Sequence, residues 1–180
     1  MFIKSALAAA AALTLVACAS TAPAPMFSQA SLPDAVKVPA GHKVVLETVG
    51  VGQITYECRD KKDAAGQTEW VFVGPDAKLL DRNGKQVGKY YGPPATWEAN
   101  DGSKVTGAQL AIAPGGAGNI PLQLVKANPA TGMGAMTGIS YIQRVATAGG
   151  VAPAAPCTMA TKGQKQIVQY KSDYIFYKAM

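Results

Sequence analysis

The sequence is poor in the residues that most enzymes and metal sites use. It has one histidine, three cysteines and three arginines among 180 residues. Zinc sites need three or four His, Cys or acidic ligands, and a catalytic serine is usually activated by a neighbouring histidine. The chain also lacks a Gly-x-Ser-x-Gly nucleophile elbow and a Gly-x-Gly-x-x-Gly dinucleotide fingerprint. We therefore expect no metal site and no cofactor.

Charge is scarce and evenly spread. Charged residues make up 16% of the chain, hydrophobic residues make up 48%, and the formal net charge is +6. The chain has no block of five like charges, the pattern that marks nucleic-acid-binding tails. The 19 glycines and 12 prolines are spread along the chain and favour many short elements joined by turns. We therefore expect one folded domain and no nucleic-acid partner.

The N-terminus has the pattern of a secretory signal peptide. Lys4 precedes an apolar run at 6–17 that is shorter than the roughly 20 residues of a transmembrane helix. The run ends in Leu15-Val16-Ala17-Cys18, which resembles the lipobox of bacterial lipoproteins, where the cysteine is lipidated and becomes the mature N-terminus. Cys18 is thus predicted to be lipidated. The alternative is an ordinary signal peptide that is cut near Ala19.

The residues after Cys18 predict its destination and a tether. By resemblance to Gram-negative lipoproteins, Ala19 rather than an Asp predicts sorting to the outer membrane, with a secreted or periplasmic soluble protein as the alternative. Residues 19–35 are rich in proline and low in aliphatic side chains, as in a linker. We predict a signal peptide at 1–17, a lipidated cysteine and flexible linker at 18–36, and a single all-β domain at 37–180.

The remaining two cysteines are predicted to form a disulfide. With Cys18 lipidated, Cys58 and Cys157 form an even pair in an oxidising compartment. Two separate buried thiols are the alternative. A disulfide here would be a structural staple that closes a loop of about 100 residues.

Strand signals follow one another through the rest of the chain. Segments rich in β-branched and aromatic residues alternate with turns, at 42–49, 53–58, 68–73, 78–82, 86–91, 96–98, 104–112, 120–126, 139–146 and 166–177. No stretch shows a sustained helical period. The pattern predicts an antiparallel β-sandwich or barrel-like domain of about nine short strands with one disulfide.

Two local patterns sharpen this prediction. Asn83-Gly84 predicts a hairpin with a type I′ turn, since both residues tolerate positive φ. In the last segment, one set of alternate residues is the more apolar and predicts the face that packs into the core: Val168, Tyr170, Ser172, Tyr174 and Phe176.

Several motifs resemble one known family. They are Gln53-Ile54-Thr55-Tyr56-Glu57-Cys58, the run from Tyr90 to Glu98, Ile142-Gln143-Arg144, and the closing Tyr170 to Tyr177. Together they are similar to domain-of-unknown-function family 3455, small exported proteins of bacteria and fungi, from about Leu32 to Lys178. The resemblance implies the domain but no activity, since the family has no established one.

The segment from Tyr90 to Ser103 is the strongest candidate for a binding site. It combines aromatic rings with a few polar groups, as sugar and peptide sites do, and its candidate ligand-binding residues are Tyr90, Tyr91, Trp97, Glu98 and Asp101. The alternative is that Trp97 packs in the core while Glu98 and Asp101 bind backbone donors in the turn.

Two functions follow from these residues. The first is a non-catalytic binding or structural module of the envelope, anchored to the membrane by lipid and binding a glycan, a peptide or an envelope protein. The second is an envelope hydrolase that acts on a polysaccharide through Glu98 and Asp101, because glycosidases use paired carboxylates. The missing catalytic groups favour the first.

Overall fold

The computed structural model describes residues 27–180. The predicted signal peptide and Cys18 lie outside these residues. The described part of the chain contains two short 3₁₀ turns, Asp34–Val36 and Met159–Thr161, and eight strands: β1 (His42–Asp60), β2 (Thr68–Leu80), β3 (Gln86–Tyr91), β4 (Thr96–Ala99), β5 (Lys104–Ala113), β6 (Leu122–Ala127), β7 (Ile139–Gly149) and β8 (Lys165–Ala179).

The strands form one antiparallel sheet that closes on itself. Each strand pairs with the next along the chain, and β8 pairs with β1, so the order around the barrel is the order in the sequence. The prediction of an all-β antiparallel domain is confirmed, and the architecture is a barrel. Within the described residues there is no helix with the length and apolar character that a membrane crossing requires.

The described residues form eight strands, fewer than the ten segments with strand signals, because two of the strands are long. Segments 42–49 and 53–58 are both part of β1, and segments 68–73 and 78–82 largely merge into β2. Gly50 and Gly52 lie between the predicted segments 42–49 and 53–58, where glycine is typical of a turn. In the structure they permit close packing, because a Cβ atom at Gly50 would lie 2.9 Å from Cδ2 of Tyr174 and one at Gly52 would overlap the backbone of Ala77.

The hairpin between β2 and β3 differs from the predicted type I′ turn. Only Gly84 of the Asn83-Gly84 pair has positive φ, at 82°. The amide of Gly84 donates to the carbonyl of Asp81 at 3.0 Å, and the amide of Asp81 donates to the carbonyl of Lys85 at 2.8 Å. These bonds define a three-residue loop, a type I turn followed by glycine. The Asp81 carboxylate favours this turn because it accepts the amides of Asn83 and Lys85 at 2.8 and 2.9 Å.

Aromatic side chains fill the inside of the barrel. Trp97 is 1% exposed, and its ring stacks on Tyr90 with the centroids 4.7 Å apart. The edge of the same indole meets Tyr174 at 5.9 Å. The predicted core face of β8 is confirmed, since its members are buried or half-buried.

A second apolar cluster lies outside the barrel, under the N-terminal segment. Val36 and Val38 are buried against outward-facing residues of β5 to β8 such as Leu124, Val145 and Ile175. Residues 27–38, which we call the strap, therefore lie against the barrel wall, although most of them fall in the predicted linker. The apolar outer positions of these strands need cover from water, and the strap supplies it.

A buried glutamine holds the strap. Gln143 on β7 is fully buried, and its Nε2 donates to the carbonyl of Val36 at 2.6 Å and to Oε1 of Gln29 at 3.0 Å. Its Oε1 accepts the hydroxyl of Tyr177 at 2.6 Å. Gln29 also bonds both backbone groups of Val38. The strap is thus fixed by polar contacts that are buried or partly buried.

The predicted disulfide is confirmed. Cys58 at the end of β1 is bonded to Cys157 in the loop between β7 and β8, with their Cα atoms 5.4 Å apart. The same loop receives hydrogen bonds from β2, where Thr68 donates to the carbonyl of Cys157 at 2.9 Å and Trp70 donates to that of Ala155 at 2.7 Å. The disulfide therefore fixes a loop of residues 150–164 at one end of the barrel.

Candidate functional site

The end of the barrel that carries the disulfide also carries a cavity. Because the strands alternate in direction, the loops at 61–67, 92–95, 114–121 and 150–164 share this end, which we call the disulfide end. The cavity has a volume of about 330 Å³ and is lined by side chains of β2 to β7 and one loop residue: Phe72, Tyr90, Ala95, Trp97, Gly107, Gln109, Gln123, Val125 and Arg144.

Strand register explains why these residues meet. Tyr90 pairs with Trp97, Gln109 with Val125, and Gln123 with Arg144. Paired residues of adjacent strands share one face of a sheet, and here that face is the inside of the barrel. Gly107 leaves room because it has no side chain, and a Cβ atom there would meet Val125.

The cavity has an aromatic floor and an exposed rim. Tyr90 and Trp97 are 6% and 1% exposed, whereas Phe72 is 51% exposed and Gln109 is also exposed. At the rim, Nε2 of Gln123 donates to Oε1 of Gln109 at 2.7 Å. Rings below and amides above give an apolar body and a polar entrance, the usual composition of a small-molecule pocket.

One wall of the cavity carries a positive charge. Nε and Nη2 of Arg144 both donate to the carbonyl of Pro121, at 3.1 and 2.9 Å. Arg59 and Arg82 bind carboxylates, Glu57 in the first case and both Glu47 and Asp173 in the second. Among the described residues, Arg144 has no carboxylate within 4.0 Å, so its charge is not neutralised by an ion pair there.

The backbone beside this arginine is irregular. The pairing of β7 with β8 shifts register between Val145 and Ala148, and Ala146 has a φ of 48°. A residue with a side chain rarely adopts this conformation. Bulges next to functional sites re-aim neighbouring side chains, and strained positions concentrate there. The bulge begins after Val145, the residue that follows Arg144.

The floor of the cavity contains an unpartnered donor. Nε1 of Trp97 is buried and has no hydrogen-bond partner among the described residues. Burial raises the pKa of the neighbouring Tyr90 hydroxyl, helped by Tyr174 and opposed by the charge of Arg144. Tyr90 therefore stays protonated at neutral pH. A buried donor without a partner is uncommon in proteins.

A family model matches residues 39–178, which include every residue that lines the cavity. The chain belongs to the family described as Protein of unknown function (DUF3455). A search of the curated proteins and a search of the solved structures each found no match. The cavity is thus part of the DUF3455 domain, whereas the whole strap precedes the matched range.

Within the DUF3455 domain, the barrel wall divides the sequence-predicted site residues. Tyr90 and Trp97 face inwards and line the cavity. Tyr91 and Glu98 alternate with them and face outwards, where the hydroxyl of Tyr91 donates to Oε2 of Glu98 at 2.7 Å. Nζ of Lys89 lies 3.3 Å from the other carboxylate oxygen. The cavity therefore contains two of the five predicted residues.

Asp101 lies at the other end of the barrel, in the turn between β4 and β5. Its carboxylate accepts the amide and hydroxyl of Ser103, at 2.9 and 2.6 Å, and the amide of Ala135 at 2.8 Å. These bonds lower the pKa of Asp101, and the bond from Tyr91 lowers that of Glu98. A glycosidase needs one carboxyl whose pKa is raised. The pKa values of Asp101 and Glu98 are both lowered, which is the opposite of this requirement.

The sequence prediction did not include seven of the nine residues that line the cavity, among them Phe72, Gln109, Gln123 and Arg144. The three polar residues, Gln109, Gln123 and Arg144, could have been found as polar residues on the core face of a strand. Arg144, for example, lies two residues after the apolar Ile142, on the same face of β7. Across the described residues, no three His, Cys, Asp or Glu side chains gather where they could hold a metal ion.

Proposed function

We propose that this DUF3455 protein is a non-catalytic binding protein of the cell envelope that takes a small ligand into the mouth of its barrel. The observation that carries the proposal is the cavity of about 330 Å³ with its aromatic floor, two amides and one guanidinium. Barrel mouths with an apolar body and a few converging polar groups are common ligand sites.

The construction of the cavity supports binding. Its walls are strands of a closed barrel, and rigid elements hold a site more precisely than loops do. Binding to a preformed site avoids the loss of conformational entropy that a flexible site would incur. The volume lies at the small end of the range for ligand pockets. If the partner is a glycan, a peptide or an envelope protein, only one small group of that partner would therefore enter the cavity.

The location in the envelope rests on the N-terminal sequence and the disulfide. Residues 15–18 match a lipobox, and a disulfide such as Cys58–Cys157 persists in oxidising compartments. We infer a signal peptide at 1–17 and a lipid on Cys18 that anchors the domain to the outer membrane.

The hydrolase alternative has less support. Glu98 and Asp101 do not line the cavity, and each is occupied by hydrogen bonds that lower its pKa. A general acid at neutral pH requires the opposite shift.

The anchor is tested by the intact mass of protein extracted from membranes, with a Cys18→Ser variant as the control. We expect a chain that begins at Cys18, carries added acyl mass and is lighter by two hydrogens before reduction, from the Cys58–Cys157 bond. The variant should lose the acyl mass and leave the membrane fraction. A soluble wild-type chain cut near Ala19 would contradict the anchor.

Binding is tested with N-phenyl-1-naphthylamine, a neutral probe whose emission rises in apolar sites. We expect saturable enhancement in the micromolar range with the full chain. Gln109→Phe places a ring in the cavity mouth and should reduce the enhancement, whereas Leu110→Phe places the same ring at an exposed neighbouring position that does not line the cavity. Equal enhancement by both variants would place the probe elsewhere and overturn the proposal.

A further inference from the structure

We propose that the cavity selects a small aromatic carboxylate, with the carboxylate bound to Arg144 and the ring packed against Phe72, Tyr90 and Trp97. This inference rests on the proposed function, because it names the class of ligand for the same cavity. Three observations carry it: the hydrogen bonding of Arg144, the side chains around it, and the size of the site.

The hydrogen bonds of Arg144 leave one of its two carboxylate-binding edges, the one formed by Nη1 and Nη2, available. A guanidinium has five N–H donors in a fixed plane. Pro121 takes one from Nε and one from Nη2, through a single carbonyl oxygen. In the described residues, both N–H groups of Nη1 and the second of Nη2 have no partner. These donors form the edge that binds a carboxylate through two parallel bonds.

The backbone carbonyl also fixes the direction of this edge. Because Pro121 holds two nitrogens of the guanidinium, the plane of the group cannot rotate freely. A positioned guanidinium loses less conformational entropy when it binds an anion than a flexible one does. The bulge at Ala146, two residues after Arg144, is a departure from regular strand geometry near this point.

The surroundings of Arg144 favour an anion with a flat apolar body. No Asp or Glu lines the cavity, so no negative charge competes for the guanidinium there. The two glutamines are neutral, and Tyr90 remains protonated and can donate. The rings of Tyr90 and Trp97 are stacked with an interplanar angle of 22°, and the exposed ring of Phe72 stands at the rim. Aromatic faces bind other rings through stacking and edge contacts.

The volume limits the size of the ligand. About 330 Å³ accommodates an acid of one or two rings and excludes a lipid or an extended polymer. The proposed ligand class is therefore a small aromatic carboxylate.

The test compares 2-naphthoate with its neutral amide, 2-naphthamide, by fluorescence titration of the full chain. We expect the acid to bind about tenfold to a hundredfold more tightly, as a charge-assisted pair implies. Arg144→Gln should remove this preference and leave the affinity for the amide within about twofold. Arg59→Gln removes the same charge from an exposed residue outside the cavity and should keep the preference.

The outcomes separate this inference from the proposed function. Equal binding of the acid and the amide would overturn the choice of an anion and leave a binding cavity. A preference lost equally in Arg144→Gln and Arg59→Gln would also overturn it, since it would indicate general charge attraction. Failure of both naphthalenes and of N-phenyl-1-naphthylamine would overturn the proposed function itself.

A second variant keeps the inference testable if Arg144→Gln misfolds. Arg144→Lys keeps the charge but loses the planar fork, so we expect an intermediate preference for the acid. If Arg144→Gln fails to fold, as judged by circular dichroism, the inference is tested by the ratio of acid to amide affinity. This ratio is then measured in the unmodified protein and in Arg144→Lys. A wild-type ratio below about threefold would overturn the inference.

Discussion

The strap offers the most direct test of how the outer cluster is stabilised. The perturbation is Gln143→Met, which keeps the length of a fully buried side chain and removes its polar atoms. The carbonyl of Val36 and the hydroxyl of Tyr177 then lose the bonds that they make to Gln143. Gln29 keeps its bonds to Val38. The substitution therefore leaves two buried polar groups without their partners.

The expected magnitude follows from these two groups. Each buried polar group that loses its partner costs about 1–3 kcal/mol, and Tyr177 is 4% exposed. We therefore expect Gln143→Met to lower the free energy of unfolding by about 2–6 kcal/mol, a large share of the roughly 5–15 kcal/mol typical of a domain. Tyr177→Phe removes only one of the bonds and should cost about 1–2 kcal/mol.

The assay is urea unfolding followed by circular dichroism, with Gln169→Met as the control. Gln169 is an exposed residue of β8, and its substitution should change stability by less than about 0.5 kcal/mol. The double variant of Gln143 and Tyr177 should cost less than the sum of the single ones, because both remove the same bond. A loss below about 1 kcal/mol for Gln143→Met would refute the reasoning. The strap would then be held by apolar contacts alone.

Two further predictions concern the disulfide and the pH dependence. Replacing Cys58 and Cys157 by serine should lower the free energy of unfolding by up to about 4–5 kcal/mol, measured by urea unfolding, because the bond spans 99 positions. Burial raises the pKa of Tyr177 to about 12 and also raises those of Tyr170 and Tyr174. Unfolded tyrosine ionises near pH 10. The unfolded chain therefore binds fewer protons above that pH, and stability should be complete below about pH 10 and fall towards pH 12. Thermal melts across this range measure the loss, and a constant melting temperature would contradict it.

The strand pattern was largely predictable because the alternation of apolar and polar residues along a strand is a local property of the sequence. The core face of β8 follows from residues two apart, and the structure buries the predicted set. Gly50 and Gly52 misled the prediction, since glycine marks a turn in one setting and close strand packing in another. The pairing partner decides between the two, and it lies far away along the chain.

The cavity was only partly predictable for a related reason. Trp97 and Tyr90 were found as an aromatic group, and their packing inside the barrel follows from their parity on β3 and β4. Arg144 is separated from them by about 50 residues and meets them only because the sheet curves into a barrel. Whether a sheet closes depends on the pairing of its outermost strands, which no short motif encodes.

The pairing of β1 with β8 has a consequence for the order of folding. The ladder runs from His42 opposite Ala179 to Glu57 opposite Lys165, so β1 gains its second neighbour only when β8 is available. Synthesis delivers the N-terminal strands first. A growing chain therefore holds β1 with one edge unpaired until β8 follows. A chain truncated before residue 165 keeps two open edges, on β1 and β7, and such edges recruit other chains. Completion of the barrel thus distinguishes finished chains from truncated ones.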